Sequence, residues 1–245
     1  MKAIDKARND QRILSLLDSI GARIKLRFQK SRDDGWSSNL QRGVATIGYT
    51  GCRHPSAALA HELLHVDTQL RGYRRIRVGI SSIDQTSSFK RLMNCLDNEL
   101  QHHKFYARFL AMGFPPEQFY RDSDAETEGH LVRSAGGTYA KLIDVLPDFL
   151  SAIAPGGDLD EESRSRLRNQ FLEVSQGAYS NELRRIEALF AEWAKLETFD
   201  AVKTIKKIML TIQPVQNYTW FGFDGNARPP DPGFFVDAEF TPVET

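Results

Sequence analysis

Cysteine is scarce in this chain, and the scarcity excludes one class of protein. Only two of the 245 residues are cysteines, and they are Cys52 and Cys95. Two thiols are too few for the disulfide framework that stabilises small secreted domains. We therefore predict that both cysteines are reduced and that the protein is cytoplasmic.

Long apolar runs are also missing. No stretch approaches the ~18 apolar residues that a membrane-spanning helix needs. The first residues, Met1 to Lys6, lack the apolar segment of a secretion signal. The sequence thus predicts a protein with no membrane association.

Neither sign of charge is in excess. Lysine and arginine together number 32, aspartate and glutamate together also number 32, and the formal net charge at pH 7 is zero. Domains that bind nucleic acid or anionic membranes usually carry a net positive charge. We therefore expect neither a nucleic acid nor a membrane as the partner.

Apolar residues make up 41% of the chain. Their spacing along the sequence predicts an α+β protein. Alternation over 22–28 and 44–50 predicts two strands, with a polar, turn-rich stretch over 31–42 between them. Apolar residues at helical spacing predict a mostly helical C-terminal half. We expect a core over 1–120 and a helical extension over 121–245 packed on it. The predicted helices include 5–20, 55–71, 87–112, 139–153, 160–175, 179–197 and 200–211.

The most informative motif is H-E-x-x-H, formed by His61, Glu62 and His65. Residues four apart on a helix point the same way, so both imidazoles can bind one zinc ion. Glu62 can reach a water on that metal and act as the general base. Apolar neighbours such as Leu63 and Leu64 place this turn in a buried helix. Buried polar side chains need partners, and a metal ion would supply one.

The motif resembles that of the zincin metallopeptidases, and the resemblance covers about residues 43 to 110. It implies a small sheet beside the metal helix, a Zn²⁺ cofactor and a protein or peptide substrate. Thr68 and Arg71 stand where the longer metzincin pattern requires glycine and histidine, so the gluzincin branch is the better match. Compactness and strand order also resemble the cytosolic zincins of the ImmA/IrrE type. Asp67 departs from the family pattern, and we expect it to face solvent.

A catalytic zinc needs a third protein ligand, which gluzincins take from a downstream helix. Within the predicted helix 87–112, Glu99 lies on the same apolar stripe as Leu92 and Leu96, and a buried carboxylate requires a partner. We predict Glu99 as the third ligand. Three residues stay open as alternatives: His102, His103 and Asp84. A buried Glu–His pair without metal is also open.

Zinc-dependent hydrolysis of peptide bonds is the predicted function, with His61, His65 and Glu99 holding the metal and Glu62 as base. The alternative is a non-catalytic interaction module in which the metal has a structural role and is bound by four protein ligands. Cys52 or a further histidine would then supply the fourth ligand. Four residues are candidates for polarising the scissile carbonyl: Tyr106, His130, Tyr139 and Tyr218.

Overall fold

The protein has the α+β architecture and the mostly helical C-terminal half that the sequence predicts. The computed structural model describes residues 3–31, 35–81, 87–119, 124–157, 159–212 and 219–223. The α-helices are α1 (Ala3–Arg8), α2 (Gln11–Gly21), α3 (Pro55–Leu70), α4 (Ser87–Ala111), α5 (Asp124–Ala135), α6 (Leu142–Ile153), α7 (Glu161–Leu172), α8 (Ser180–Lys195) and α9 (Val202–Ile212). The strands are β1 (Lys25–Lys30), β2 (Ser37–Gln41), β3 (Val44–Tyr49), β4 (Ile76–Ser81) and β5 (Thr219–Phe223). Short 3-10 helices cover Pro116–Gln118 and Val174–Gly177.

None of the helices in these ranges is both long and apolar enough to cross a membrane.

The three-stranded sheet has the order β1-β3-β2. β3 is central, because β1 pairs with it in parallel and β2 pairs with it antiparallel. Arg42 and Gly43 connect β2 to β3 with φ values of 49° and 74°, which is the left-handed pair that a tight hairpin requires. The prediction of a turn-rich stretch was wrong for β2. That strand is hard to recognise, since Leu40 is its only large apolar residue.

The chain divides into two compact units. The first comprises Met1–Arg71, Lys104–Thr127 and Pro155–Leu159, and the second comprises Gly72–His103, Glu128–Ala154 and Asp160–Thr245. Each unit is discontinuous along the chain, whereas the sequence prediction cut the chain once, near residue 120. That boundary stays a prediction.

In the first unit, α2 and α3 pack on one face of the sheet. β3 turns Ala45 and Ile47 towards these helices, and both side chains are completely buried. The predicted helix 5–20 is instead two helices, α1 and α2. Asp10 separates them because its backbone is extended and its side chain accepts a hydrogen bond from the backbone N–H of Arg12 at the start of α2.

In the second unit, β4 and β5 form an antiparallel pair, and a buried carboxylate on α4 secures the entry to β4. Asp97 accepts hydrogen bonds from the Tyr73 hydroxyl, the Arg75 guanidinium and the backbone N–H of Ile76. Trp193 on α8 is fully buried and donates from Nε1 to the carbonyl of Leu100, 2.7 Å away. The buried polar groups of Asp97 and Trp193 therefore have the hydrogen-bond partners that burial requires.

Candidate metal centre

Helix α3 begins where the sequence predicts it and carries the two motif histidines. Pro55 occupies its first turn, where a missing N–H costs nothing. Every residue from Ser56 to Thr68 is buried or half-buried, so this is an interior helix rather than a surface one. The Nε2 atoms of His61 and His65 lie 3.1 Å apart. Two nitrogens bound to one tetrahedral zinc at about 2.0–2.1 Å each would lie about 3.3–3.4 Å apart. The two imidazoles are therefore already close to the spacing of a shared metal.

Aromatic rings hold these two imidazoles in place. Phe105 meets both edge-on, with centroid separations of 5.4 Å to His61 and 4.8 Å to His65. Phe119 packs at a tilt against His61 at 4.8 Å. Phe105 and Phe119 are almost completely buried. Such a wall restricts the ring orientations and keeps water away from one side of the nitrogen pair.

A third histidine, on α4, completes a cluster that could hold a metal ion. One ligand atom from each of His61, His65 and His102 lies within 4.8 Å of the others. His102 is only 2% exposed and His65 only 7% exposed, while His61 is half-buried. Neutral imidazole nitrogens are the commonest metal ligands in proteins. The donor set therefore fits a zinc-type ion without any carboxylate in it.

Glu99 lies directly behind His102, one turn earlier on α4. Its Oε2 atom is 3.2 Å from Nδ1 of His102, which donates to it, and its Oε1 atom accepts from the Asn98 amide at 3.3 Å. Burial alone would raise the pKa of Glu99. The electrostatic effects of His102 and His103 and the hydrogen bonds from His102 and Asn98 together outweigh burial, and the pKa of Glu99 lies below its ordinary value.

This arrangement is that of a carboxylate orienting a metal-binding imidazole, because a proton held on Nδ1 leaves Nε2 to bind the metal. Glu99 is buried, as the sequence predicts, at 5% exposure. Its role as a metal ligand itself stays a prediction.

The other residues predicted for the site fall in different places. Glu62 is buried on α3 next to His61, at 8% exposure. His103 turns away from the cluster: its Nδ1 donates to the Glu99 carbonyl at 2.8 Å and its ring packs against Phe190 at 5.0 Å. Burial lowers the pKa of His103, although Glu99 acts in the opposite direction. Asp84 and Tyr218 lie outside the described residues.

The expectation that Asp67 faces solvent was wrong. Asp67 is 2% exposed and forms ion pairs with Arg71, 2.6 Å away, and with Arg108 on α4. The side chains of Arg71 and Arg108, which are themselves partly exposed, cover this carboxylate. The ion pairs satisfy the carboxylate and fasten α3 to the C-terminal half of α4.

Three residues predicted as carbonyl-polarising candidates have other contacts. Tyr106 packs edge-on against Phe119 at 4.9 Å. The hydroxyl of Tyr139 donates to the carbonyl of Ser134. His130 lies near Asp148, at 3.3 Å, and near the Ser134 hydroxyl, at 3.5 Å. Both contacts use the same nitrogen, Nε2, so they cannot form the relay of a Ser-His-Asp triad, which needs both ring nitrogens.

Sequence reasoning ranked His102 below Glu99 because it assumed a single apolar stripe on α4. In the structure α4 is buried on several sides at this level, including Asp97, Gln101 and His102. The signal that could have identified His102 was the Glu-x-x-His spacing itself, which places a carboxylate one turn before an imidazole.

Comparison of the chain with protein-family models, with curated proteins and with solved structures finds no match.

Proposed function

We propose that this protein is a zinc-dependent metallopeptidase that hydrolyses peptide bonds of a protein or peptide substrate. The observation that carries the proposal is the convergence of His61, His65 and His102 within 4.8 Å, with Glu62 next to the first of them. The H-E-x-x-H motif and the strand β3 before it resemble the arrangement of the zincins, which supports the proposal. A third ligand from a downstream helix is the gluzincin arrangement, here with a histidine rather than a carboxylate.

In this proposal His61, His65 and His102 hold the metal, and Glu99 fixes the ring of His102. A metal bound there would lower the pKa of a coordinated water towards neutrality and polarise the carbonyl of a bound peptide. The hydrogen bond to Glu99 keeps the His102 proton on Nδ1 and makes the other nitrogen more basic.

Glu62 takes the proton that the attacking water releases as oxygen adds to the carbonyl carbon. It then gives that proton to the amide nitrogen as the carbon–nitrogen bond breaks, so the base is regenerated in each cycle. Burial of Glu62 and the aromatic wall of Phe105 and Phe119 keep competing water from the proton-transfer path.

An interaction module with a structural metal would need a closed site with four protein ligands. Among the described residues, the cluster contains three potential ligands and no fourth. Three ligands from these residues would leave one position of a tetrahedral ion for water, which supports the enzyme over a purely structural metal site. The presence of a carboxylate beside the first ligand favours it further, since a structural site has no use for a base.

The substitution Glu62→Gln tests the proposal because it removes the base and leaves the three histidines. We expect the variant to fold, to retain about one zinc per chain and to lose peptidase activity by at least ~10²-fold. Cleavage products are compared by mass spectrometry after incubating a whole proteome with the wild type, Glu62→Gln or the exposed control Glu117→Gln. Identical product profiles for all three would refute the peptidase.

Metal binding is tested separately with His61→Ala. This variant should lose the zinc and also lower the temperature of unfolding, because metal binding contributes to folding. Full zinc occupancy in His61→Ala, measured by elemental analysis, would remove the basis of the proposal.

A further inference from the structure

Phe119 connects the imidazole of His61 to a distant turn of the first unit. Its ring packs against His61 with the two centroids 4.8 Å apart, and its side chain is only 2% exposed. Phe119 belongs neither to α3 nor to α4, because it directly follows the 3-10 helix Pro116–Gln118. The orientation of the His61 ring therefore depends on a segment that supplies no metal ligand.

Other aromatic rings leave Phe119 little space to move. Three residues of α4 pack around it, with centroid separations of 5.7 Å for Phe105, 4.9 Å for Tyr106 and 5.0 Å for Phe109. Protein interiors are close-packed, so a displaced ring displaces its neighbours. Phe105 and Phe109 are completely buried, whereas His61 and Tyr106 are half-buried. A shift of Phe119 is thus passed to His61 and Tyr106.

Gly156 presses its backbone directly against Phe119. Its φ value is +82°, and a Cβ atom added to it would lie 2.8 Å from Cε2 of Tyr106 and 2.9 Å from both Cβ and Cδ1 of Phe119. Non-bonded carbon atoms pack at about 3.5–4.0 Å. This position therefore requires glycine both for its left-handed backbone and for the close approach.

Hydrogen bonds fasten this glycine turn, Pro155-Gly156-Gly157, to the segment that carries Phe119. The carbonyl of Pro116 accepts from the N–H of Phe119 at 3.0 Å and from the N–H of Gly157 at 2.9 Å. Directly before the turn, the carbonyl of Ala154 accepts from the guanidinium of Arg164. Because its backbone is held on both sides of Gly156, the turn cannot simply retreat from a side chain added there.

We propose that the glycine turn positions the His61 imidazole for metal binding, with Phe119 as the contact between them. The inference rests on the proposed metal site and adds to it a positioning residue, Gly156, that is not a ligand. A side chain at this position would push Phe119 towards His61. The Nε2 atoms of His61 and His65, now 3.1 Å apart, would then leave the spacing that a shared metal needs.

The test compares Gly156→Ala with the matched control Gly113→Ala. The φ value of Gly113 is +85°, so alanine meets nearly the same backbone strain at both positions. At Gly113, however, the nearest atom to an added Cβ is Cδ of Arg12 at 3.6 Å, an ordinary contact. A difference between the two variants therefore reports the push on Phe119 rather than backbone strain.

The first measurement is NMR of the imidazole C–H resonances of His61 in the metal-free protein. It is made at about pH 8, so that histidine protonation does not contribute. We expect Gly156→Ala to shift these resonances, because the ring current of Phe119 then acts on His61 from a different position, and Gly113→Ala to leave them unchanged. Unchanged His61 resonances in Gly156→Ala would overturn the proposal.

The second measurement is zinc affinity, by chelator competition well below the unfolding temperature of each variant. We expect Gly156→Ala to bind zinc about tenfold more weakly, as when a group supporting a ligand is lost, and Gly113→Ala to match the wild type. Phe119→Leu should also weaken binding, and adding Gly156→Ala to it should cause no further loss, because leucine has no ring to press on His61.

Equal zinc affinity of Gly156→Ala and the wild type, or additive losses in the double variant, would contradict the positioning role. A wild type that binds no zinc would instead refute the proposed function, and the NMR comparison in the metal-free protein would still decide whether Gly156 positions His61.

Discussion

The division of roles between His102 and Glu99 leads to a quantitative prediction. If His102 binds the metal and Glu99 only orients the His102 ring, substitutions of these two residues must lower the affinity for zinc by different amounts. His102→Ala removes a ligand, whereas Glu99→Gln removes the 3.2 Å charge-assisted hydrogen bond behind that ligand. Loss of such a supporting carboxylate typically costs 10–100-fold in metal affinity, which is about 1.4–2.7 kcal/mol at 25 °C. We expect Glu99→Gln to fall in this range and His102→Ala to bind zinc more weakly still.

The assay is competition for zinc against a fluorescent chelator, performed on the wild type and each variant at one pH. His103→Ala is the matched control, because His103 is on the same helix but directs its ring to Phe190. Circular dichroism checks that each variant is folded. If Glu99→Gln loses zinc as completely as His61→Ala while His102→Ala retains wild-type affinity, Glu99 is the ligand and the division of roles is wrong.

Three further predictions concern stability. Arg108→Met should destabilise the protein by about 1–3 kcal/mol, because the buried carboxylate of Asp67 loses one hydrogen-bonded ion-pair partner and keeps only Arg71; urea unfolding in which the variant matches the wild type would contradict this. Gly156→Ala should cost about 1–3 kcal/mol, since φ is +82° and a new Cβ would lie 2.8 Å from the ring of Tyr106, and an unchanged melting temperature would refute it. Asp10→Ala should cost about 1 kcal/mol through loss of the helix cap, whereas Asp10→Asn should keep the cap and lose only the charge. The Arg12 guanidinium lowers the pKa of Asp10 in the folded protein. The contribution of the Asp10 charge to stability is therefore complete above about pH 4 and disappears as the pH falls. The wild type and Asp10→Asn should accordingly converge in stability at low pH.

The sequence predicts those parts of the fold in which local chemistry agrees with burial. Helix α3 is the best example, since Pro55 at its first position indicates its start and the apolar residues on both sides of the motif indicate its interior location. β3 was predicted for a similar reason, because Ala45 and Ile47 alternate with less buried residues. β2 could not be predicted, since it is stabilised by pairing with β3 and not by apolar side chains of its own.

The candidate site was predicted in part. His61, Glu62 and His65 follow from spacing on one helix, which local sequence fully specifies. The identity of the residue from α4 depends on which neighbours surround that helix, and this is a tertiary property. Asp67 shows the same limit, because its expected exposure assumed a free helix face, whereas Arg108 comes from 41 positions further along the chain.

The most direct test of the central claim is the zinc K-edge X-ray absorption spectrum of the purified, untagged protein. The account predicts about one zinc per chain with nitrogen and oxygen neighbours at about 2.0–2.1 Å. Multiple scattering from three imidazole rings should be visible, and the remaining position should be filled by a light atom from solvent. A sulfur neighbour at about 2.3 Å, as expected if Cys52 closed the site, or a spectrum without imidazole scattering would contradict an open three-histidine centre.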